Sequence, residues 1–496
     1  GAVAQAGWLE LLGARGVLRE IDALGVQVRL DTVEPGGHFW PRRITALWDI
    51  LLRHESKAEI WITHTGHANA GAHDRAQIRA FLETMDAPVQ RFYWYSAQDR
   101  DESEATGLFD LRGAPRLLAR MLAEGGPVRL RELLALSQRG RSHNGKGVAL
   151  ITGGAGFIGT NLAARLLGEG RNVRILDNLC RPGTETNLRW LANQFGERIE
   201  FRLADVRDRL ALRDAVADAT EVFHLAAQVA VTSSLVDPLH DFDINGRGTL
   251  NLLEELRRLD KPPPLLFTST NKVYGGLDDL PLVVNDTRYE LADPDLRRRG
   301  IDESRPIAFC SPYGCSKGAS DQYVLDFART FHLPAAVLRM SCIYGPHQFG
   351  TEDQGWVAHF ARQALARQPI VIYGDGRQVR DILFVEDLVD ALLLARDHID
   401  GLRGHAFNMG GGPRNTVSLR ELLAELGRMH NRPPEVRYEN WRASDQRYYV
   451  SDVARFQAAT GWAPRTSVTE GLERMHEWLL AQRPSPAVPE RGRVAL

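Results

Sequence analysis

The chain has 496 residues and a net charge of −2 at pH 7; 44% of its residues are hydrophobic and 25% are charged. This length is too great for one compact core, so we expect two or three domains. The near-neutral charge favours neither nucleic acid nor a membrane as partner, and because no apolar run is long enough to span a bilayer we expect a cytoplasmic protein.

The first predicted domain comprises residues 1–136, in which strand-like and helix-like segments alternate. The predicted strands are GVQVRLDT, AEIWITHT and VQRFYWYS, and the predicted helices are ITALWDILLRH, HDRAQIRAFLETM and APRLLARMLAE. Their order resembles the last part of a (β/α)8 glycosidase-type barrel, and this resemblance implies a nucleophilic Glu at the position of His64. Because that Glu is missing and three β/α units cannot close a barrel, we predict a degenerate or truncated appendage with a structural, carbohydrate-binding or oligomerising role.

Histidines and cysteines show no regular metal-ligand pattern. The spacing of His64, His67 and His73 is irregular and disfavours a metal site, so we predict no bound metal. The cysteines also lack redox-pair spacing, and we expect free, buried thiols at all of them: Cys180, Cys310, Cys315 and Cys342.

The remaining chain predicts an α/β fold with a doubly wound parallel sheet. Residues 137–147 are polar and glycine-rich and predict a linker, and the proline-rich tail 483–496 predicts disorder. Between them we predict a dinucleotide-binding Rossmann domain over 148–345. Residues 346–482 then form mainly a smaller substrate-binding domain, interleaved with Rossmann elements.

VALITGGAGFIGTNLAARLL has the order of an apolar strand, a glycine turn and an amphipathic helix. Gly153 allows the tight turn, Gly156 lets the backbone approach a pyrophosphate, and Gly159 permits close packing of the helix on the strand. The next strand, NVRILD, ends in Asp177, which can bind the adenosine ribose and repel a 2′-phosphate. The sequence therefore predicts NAD as the cofactor and disfavours NADP. It also disfavours the alternative that the glycine turn binds no ligand.

Further cofactor contacts are predicted in the same segment and after the following strands, with Asp205 as a candidate for the adenine. They are Phe157, Ile158, Asn178, Asp205, Val206, Ala226, Ala227, Gln228, Asn245, Tyr313 and Lys317.

Tyr313 and Lys317 lie four residues apart in SPYGCSKGASDQYVLDFA, a segment that predicts a helix. With 11 Tyr and five Lys in 496 residues, such a pair arises by chance about 0.1 times, although an exposed helical pair stays the simpler alternative. A nearby ammonium can stabilise a phenolate, so Tyr313 can take a proton from a sugar hydroxyl while hydride leaves the same carbon for the nicotinamide. We expect Thr270, which ends the segment PPPLLFTST, to hydrogen-bond that hydroxyl.

The motifs that carry a family resemblance are TGGAGFIG, HLAAQ, the Thr270 strand, YGCSK and RDILFVED. Through them, residues 148 to about 480 resemble the extended short-chain dehydrogenase/reductases of the sugar-nucleotide epimerase/dehydratase group. Within it, FTSTNKVYG, SPYGCSKGASDQYVLDFAR and RMSCIYGPHQFGTEDQGWVAHF most resemble the CDP-paratose (CDP-tyvelose) 2-epimerases. Members of the group that eliminate water carry Asp-Glu directly after the catalytic Thr. Asn271 and Lys272 stand there in this chain, and neither can replace those carboxylates, so the sequence disfavours dehydration and favours epimerisation.

The resemblance and the residue types together imply a nucleoside-diphosphate sugar as substrate, with arginines on its diphosphate. The predicted substrate-binding residues are Thr232, Ser233, Asn271, Lys272, Gln354, Trp356, Arg380 and Arg442. Solvated or salt-bridged surface charges are the alternative for Lys272 and the arginines, and core packing is the alternative for Trp356. The leading hypothesis is an NAD-dependent 2-epimerase of a CDP-sugar, expected to be a homo-oligomer. A UDP-hexose or UDP-uronate 4-epimerase and a non-catalytic dinucleotide-binding scaffold are the alternatives.

Overall fold

The computed structural model describes residues 147–482 apart from Ala443, and, of the residues before 147, those at 14, 15, 19, 23–29, 47, 49–55, 59–66, 91–94, 132, 135 and 136. They fall into two compact units, and each is described by itself. The first contains the described residues before 142 together with 178–180 and 200–208; the second contains the others.

The first unit contains a parallel three-stranded sheet of β1 (Ala23–Arg29), β2 (Glu59–Gly66) and β3 (Arg91–Trp94), in that order. These strands overlap the three predicted ones, and residues 47 and 49–53 are helical within a predicted helix. The other two predicted helices, His67, His73, residues 137–146 and the tail 483–496 lie outside the described residues. The resemblance to a glycosidase barrel therefore stays a prediction.

The strands after residue 147 run from β4 to β18. In chain order they are β4 (Val148–Thr152), β5 (Asn172–Asp177), β6 (Ile199–Leu203), β7 (Ala219–His224), β8 (Leu265–Thr270), β9 (Leu282–Val284), β10 (Tyr289–Leu291), β11 (Ala335–Met340), β12 (Cys342–Tyr344), β13 (Ile370–Tyr373), β14 (Val379–Phe384), β15 (Ala406–Met409), β16 (Thr416–Ser418), β17 (Val436–Glu439) and β18 (Tyr448–Tyr449).

The α-helices of the same part of the chain run from α1 to α14. In chain order they are α1 (Phe157–Gly168), α2 (Thr184–Phe195), α3 (Arg209–Val216), α4 (Val231–Val236), α5 (Pro238–Phe242), α6 (Gly248–Leu256), α7 (Pro294–Arg299), α8 (Pro312–Thr330), α9 (Trp356–Ala366), α10 (Val385–Asp397), α11 (Ile399–Leu402), α12 (Leu419–Met429), α13 (Ala454–Thr460) and α14 (Val468–Ala481). A π-helical turn, Asp243–Arg247, joins α5 to α6.

Seven parallel strands form the main sheet, in the order β15-β11-β8-β7-β4-β5-β6. Every residue of β4, β5 and β8 is buried, as expected for strands with both faces covered. The strand order runs outward from β4 in one direction through β5 and β6, and in the other from β7 through β15. This reversal at β4 and β7 is the point where such sheets bind ligands, beyond the carboxyl ends of the strands.

The C-terminal part adds smaller sheets around a second core. In one of them β14 pairs with β12, β16 and β18, and in another β13 pairs with β17. Tyr344, Phe360, Phe384 and Leu426 belong to the buried cluster that packs there. The structure thus confirms the predicted α/β class, with a Rossmann-like parallel sheet and smaller C-terminal sheets. Within the described part of the chain, no helix is both long and apolar enough to cross a membrane.

The cysteines are free, as predicted, but the prediction that they are buried is wrong. Cys180, Cys310 and Cys315 are exposed and Cys342 is partly buried. Cys180 and Cys310 lie in segments between regular elements. Cys315 follows the buried Tyr313 by two positions on α8, and two positions along a helix lead to a different face.

Candidate active site

The glycine turn after β4 has the geometry that a dinucleotide pyrophosphate requires. Gly153 has φ +71°, and a Cβ placed on Gly159 would lie 2.4 Å from the Gly153 carbonyl oxygen, so α1 packs directly on the turn. Among the described residues, a Cβ on Gly156 would have one neighbour within 4 Å, the Gly153 carbonyl oxygen at 3.1 Å. Because no side chain caps α1, its first N–H groups are available to phosphate oxygens.

Asp177 ends β5 and is 9% exposed. Its carboxylate accepts a hydrogen bond from the Ala155 N–H at 3.0 Å, which holds it beside the glycine turn. This is the place at which NAD-binding folds carry the acid for the adenosine ribose.

Asn178 donates to the Asp205 carboxylate at 2.8 Å. Burial alone would raise the pKa of Asp205, but hydrogen bonds and charge from Arg207, at 2.9 Å, hold that pKa below its usual value. Val206 beside it is buried. The two predicted polar cofactor contacts, Asn178 and Asp205, therefore lie together, and Arg207, which the sequence did not single out, fixes the charge of Asp205.

The segment after β7 is joined to the catalytic helix through Asn245. The Gln228 N–H donates to the Asn245 side-chain oxygen at 2.9 Å, and the Asn245 amide donates back to the Gln228 carbonyl at 3.1 Å. The same amide donates to Ser316 Oγ at 3.0 Å, on α8. Ala226 donates from its backbone to Thr152 Oγ1 at 3.3 Å, which ties the start of this segment to β4.

Thr270, Tyr313 and Lys317 are 7%, 8% and 3% exposed. Thr270 is the last residue of β8, and Tyr313 lies in the first turn of α8, where Ser311 caps the helix by accepting from the Gly314 N–H at 3.1 Å. Lys317, one turn later, donates to the Thr268 carbonyl at 2.6 Å and lies 4.2 Å from the centre of the Phe267 ring. The structure thus brings the three predicted catalytic residues to the carboxyl end of one strand and the start of one helix.

Burial controls the protonation of this group. It raises the pKa of Tyr313 to about 12, although a hydrogen bond with Thr270 and the charge of Arg181 act in the opposite direction. It also lowers the pKa of Lys317 to about 7. In this structure burial outweighs the groups that favour the Tyr313 phenolate, and the Lys317 ammonium is directed to the Thr268 carbonyl. That Lys317 stabilises the phenolate during the reaction stays a prediction.

Three predicted substrate residues converge on the segment 444–446. Asn271 donates to the Gln446 side chain at 3.3 Å, and Lys272 donates to the Ser444 carbonyl at 3.3 Å. Arg380 donates to the Asp445 carboxylate at 2.9 Å. Asp445 and Gln446 were not predicted as site residues, although both follow Arg442 closely in NWRASDQRYYVSD. The available signal was an acid three residues after a predicted diphosphate-binding arginine.

Arg442 lies over the Tyr373 ring, 3.8 Å from its centre, and pairs with Glu352 and Asp353 at 3.3 Å. The neighbouring Gln354 accepts from Arg181 at 2.6 Å. Both predicted nucleotide contacts are therefore engaged by charged side chains.

Trp356 is partly buried against the second core. Its indole N–H donates to Cys342 Sγ at 3.3 Å, and its ring packs edge-on against Phe360. These contacts agree with the alternative that Trp356 is a core residue. Thr232 and Ser233 lie on α4, and Ser233 Oγ accepts from the Gln228 side chain at 3.0 Å. Both stay candidates for sugar contacts.

The model of the NAD dependent epimerase/dehydratase family matches residues 149–410, more than half of the chain. The chain belongs to this family. NAD is the family's cofactor, and the open side of Gly156, the uncapped start of α1 and Asp177 fit it. Members of this epimerase/dehydratase family are enzymes, so the scaffold hypothesis is set aside.

Two relatives and one solved structure place the chain within the epimerase/dehydratase family. The chain is 41% identical to CDP-paratose 2-epimerase of Salmonella typhi over 66% of this chain and 98% of that protein. It is 31% identical to a putative UDP-glucose 4-epimerase of Methanocaldococcus jannaschii, over 66% of this chain and 97% of that protein. The structure of Thermus thermophilus UDP-glucose 4-epimerase with NAD has a TM-score of 0.57 and 30% identity, over 68% of this chain and all of that one.

Proposed function

We propose that the protein is a CDP-sugar 2-epimerase, which inverts C2 of a CDP-linked deoxysugar by oxidation and re-reduction at that carbon. The observation that carries the proposal is the buried set of Thr270, Tyr313 and Lys317, followed by Asn271 and Lys272 in place of two carboxylates. The likeness to CDP-paratose 2-epimerase supports the choice of base and carbon. The second candidate is UDP-hexose 4-epimerisation, which the likeness to the Thermus thermophilus enzyme supports.

The proposed chemistry assigns one task to each side chain. NAD, when bound, supplies the acceptance and return of a hydride. Thr270 holds the reacting hydroxyl, and Tyr313, hydrogen-bonded to Thr270, takes the hydroxyl proton and returns it. Lys317 supplies positive charge on the next turn of α8, which favours the phenolate over the buried phenol.

Elimination of water needs an acid for the leaving hydroxyl and a base for the carbon-bound proton. Asn271 is a neutral amide that donates to Gln446, and Lys272 is tied to Ser444 and Asp445, so neither provides the carboxylate pair. We therefore expect a redox-neutral reaction without loss of water.

The test uses CDP-sugars labelled with deuterium at C2, followed by NMR and mass spectrometry. We expect the label to stay at C2 of the inverted product, with no net reduction of NAD. Loss of the label to solvent would contradict the hydride route, and loss of water would establish a dehydratase. Inversion at C4, with UDP-hexoses as the better substrates, would establish the second candidate.

Replacing the proposed base supplies a second test. Tyr313→Phe should lower kcat by about 10²- to 10⁴-fold, the usual contribution of acid–base catalysis, while NAD binding stays close to that of the wild type. Tyr323→Phe is the matched control, because Tyr323 lies on the same helix and is 43% exposed. Wild-type turnover in Tyr313→Phe would refute the assigned role.

A further inference from the structure

Two cations share one carboxylate oxygen beside the strand that carries Thr270. Arg380 Nη2 lies 2.9 Å and Lys272 Nζ lies 3.8 Å from Asp445 Oδ1. Arg380 belongs to β14, and Lys272 follows Thr270 by two positions. The side chains of Arg380 and Lys272 are 8% and 16% exposed, so water screens their mutual repulsion weakly.

Backbone and amide contacts hold Asp445 in place between these cations. The Gln446 side chain donates to the Gly275 carbonyl at 2.5 Å and accepts from Asn271 at 3.3 Å. The Gln446 carbonyl accepts from Arg380 at 2.6 Å. These contacts connect the segment 444–446 to the strand β14, which carries Arg380, and to the turn Asn271–Tyr274, which carries Lys272, so Asp445 is a fixed part of the cluster.

The charged and titratable groups that face Lys272 are Arg380 on β14, Asp445, Cys310 before α8 and Cys342 on β12. Burial is the largest influence and lowers the pKa of Lys272, and the charge of Arg380 lowers it further. Asp445 acts in the opposite direction. When Lys272 is protonated, the cluster of Lys272, Arg380 and Asp445 has a net charge of +1. This charge lies close to the residues that follow Thr270.

We propose that Asp445 is a positioning residue that keeps Lys272 positively charged beside Arg380, so that the two cations together receive the diphosphate of the substrate. The inference rests on the proposed function for the identity of the ligand.

The charge of Lys272 can be measured without substrate. The chain has five lysines, so pH-dependent labelling of amines read by mass spectrometry resolves Lys272 from the others, with the exposed Lys261 as internal reference. Asp445→Asn should lower the pKa of Lys272 by at least about one unit, which is a tenfold larger neutral fraction near pH 7. Asp445→Glu should largely restore the wild-type value, and Asp400→Asn, at an exposed carboxylate on α11, should leave it unchanged. An unchanged Lys272 pKa in Asp445→Asn would overturn the inference.

Calorimetric titration with CDP and UDP tests the second half of the inference. In the wild type, affinity should fall as the pH rises through the pKa of Lys272, and in Asp445→Asn this fall should begin about one pH unit lower. Adding Lys272→Arg to Asp445→Asn should remove the shift, because a guanidinium stays charged throughout. An affinity that does not follow the labelled pKa would overturn the role of Lys272 toward the diphosphate. Absence of CDP and UDP binding at every pH would instead refute the proposed function, with the labelling result still deciding the charge of Lys272.

Discussion

Burial works against the charge that Lys317 carries. Its side chain is 3% exposed, and its ammonium has the Thr268 carbonyl at 2.6 Å and the Phe267 ring for compensation. These contacts do not replace bulk water, so the pKa falls from 10.5 to about 7. The buried Lys317 ammonium therefore lowers the free energy of unfolding, and it places a positive charge one turn from Tyr313 on α8.

Stability should therefore depend on pH through Lys317. Below pH 7 both the folded and the unfolded chain hold the proton, and the cost of the buried cation is fully present. Between about pH 7 and 10.5 the unfolded chain binds more protons, so the free energy of unfolding rises with pH. Lys317→Met should thus be more stable than the wild type near pH 7, by an amount on the order of a few kcal/mol, and this advantage should shrink toward pH 10.

Urea unfolding of both proteins at several pH values measures this difference. Lys261→Met, at an exposed position, is the control and should show no such trend. A Lys317→Met advantage that is the same at pH 7 and pH 10 would show that the native amine is not desolvated as described.

At the level of elements, the glycines of the turn between β4 and α1 have two different roles. Gly153 and Gly159 are required for packing, and we assign Gly156 to cofactor binding. A Cβ placed on Gly153 would lie 2.7 Å from the Ala226 backbone nitrogen, so alanine there disturbs the contact of the turn with the segment after β7. A Cβ placed on Gly159 would lie 2.4 Å from the Gly153 carbonyl oxygen, so alanine there disturbs the contact of helix and turn. A Cβ at Gly156 has one close neighbour, the Gly153 carbonyl oxygen at 3.1 Å, which has to move by only a few tenths of an ångström. Gly156 also lies where a pyrophosphate approaches the backbone.

Gly156→Ala should therefore leave the fold intact and weaken NAD binding by tenfold or more. Gly168→Ala, at the other end of α1, is the matched control, because no atom of the described residues lies within 4 Å of a Cβ placed there. Calorimetry gives the affinity and thermal unfolding gives the stability of each variant. Unchanged NAD affinity in Gly156→Ala would contradict the placement of the pyrophosphate.

Elements with a strong local signal were predictable from the sequence. The strand ending at Thr270 and the helix with Tyr313 and Lys317 were of this kind, because hydrophobic runs and four-residue spacing are properties of neighbouring residues. The contacts of the segment 444–446 with Asn271 and Lys272 were not predictable from the sequence, because they join parts of the chain more than 170 residues apart. The raised pKa of Tyr313 was not predictable for a related reason, because the burial that raises it depends on the whole fold.

At the scale of the whole molecule, about two thirds of the chain matches its relatives almost from end to end. The Rossmann-like sheet starts at Val148, and the described residues of the first sheet end at Trp94. The part of the chain from 141 onward thus contains every strand of the seven-stranded sheet.

Removal of residues 1–140 should leave a protein that unfolds cooperatively and binds NAD. At 100 times its dissociation constant, NAD should add about 2.7 kcal/mol to the free energy of unfolding of the truncated chain. Thermal unfolding with and without NAD, beside the full chain, measures this. A shortened chain that stays soluble but gains no stability from NAD would show that the first 140 residues are needed for the cofactor site.

The position of β15 at the edge of the main sheet has a consequence for chain synthesis. β11 ends at Met340, but its outer neighbour comes from Ala406–Met409. Until residue 409 has left the ribosome, the hydrogen-bonding groups of β11 on that side have no strand to pair with. Nascent chains, or proteolytic products ending between residues 341 and 405, therefore present an open parallel edge that a second copy can extend, and aggregation should concentrate in products of that length.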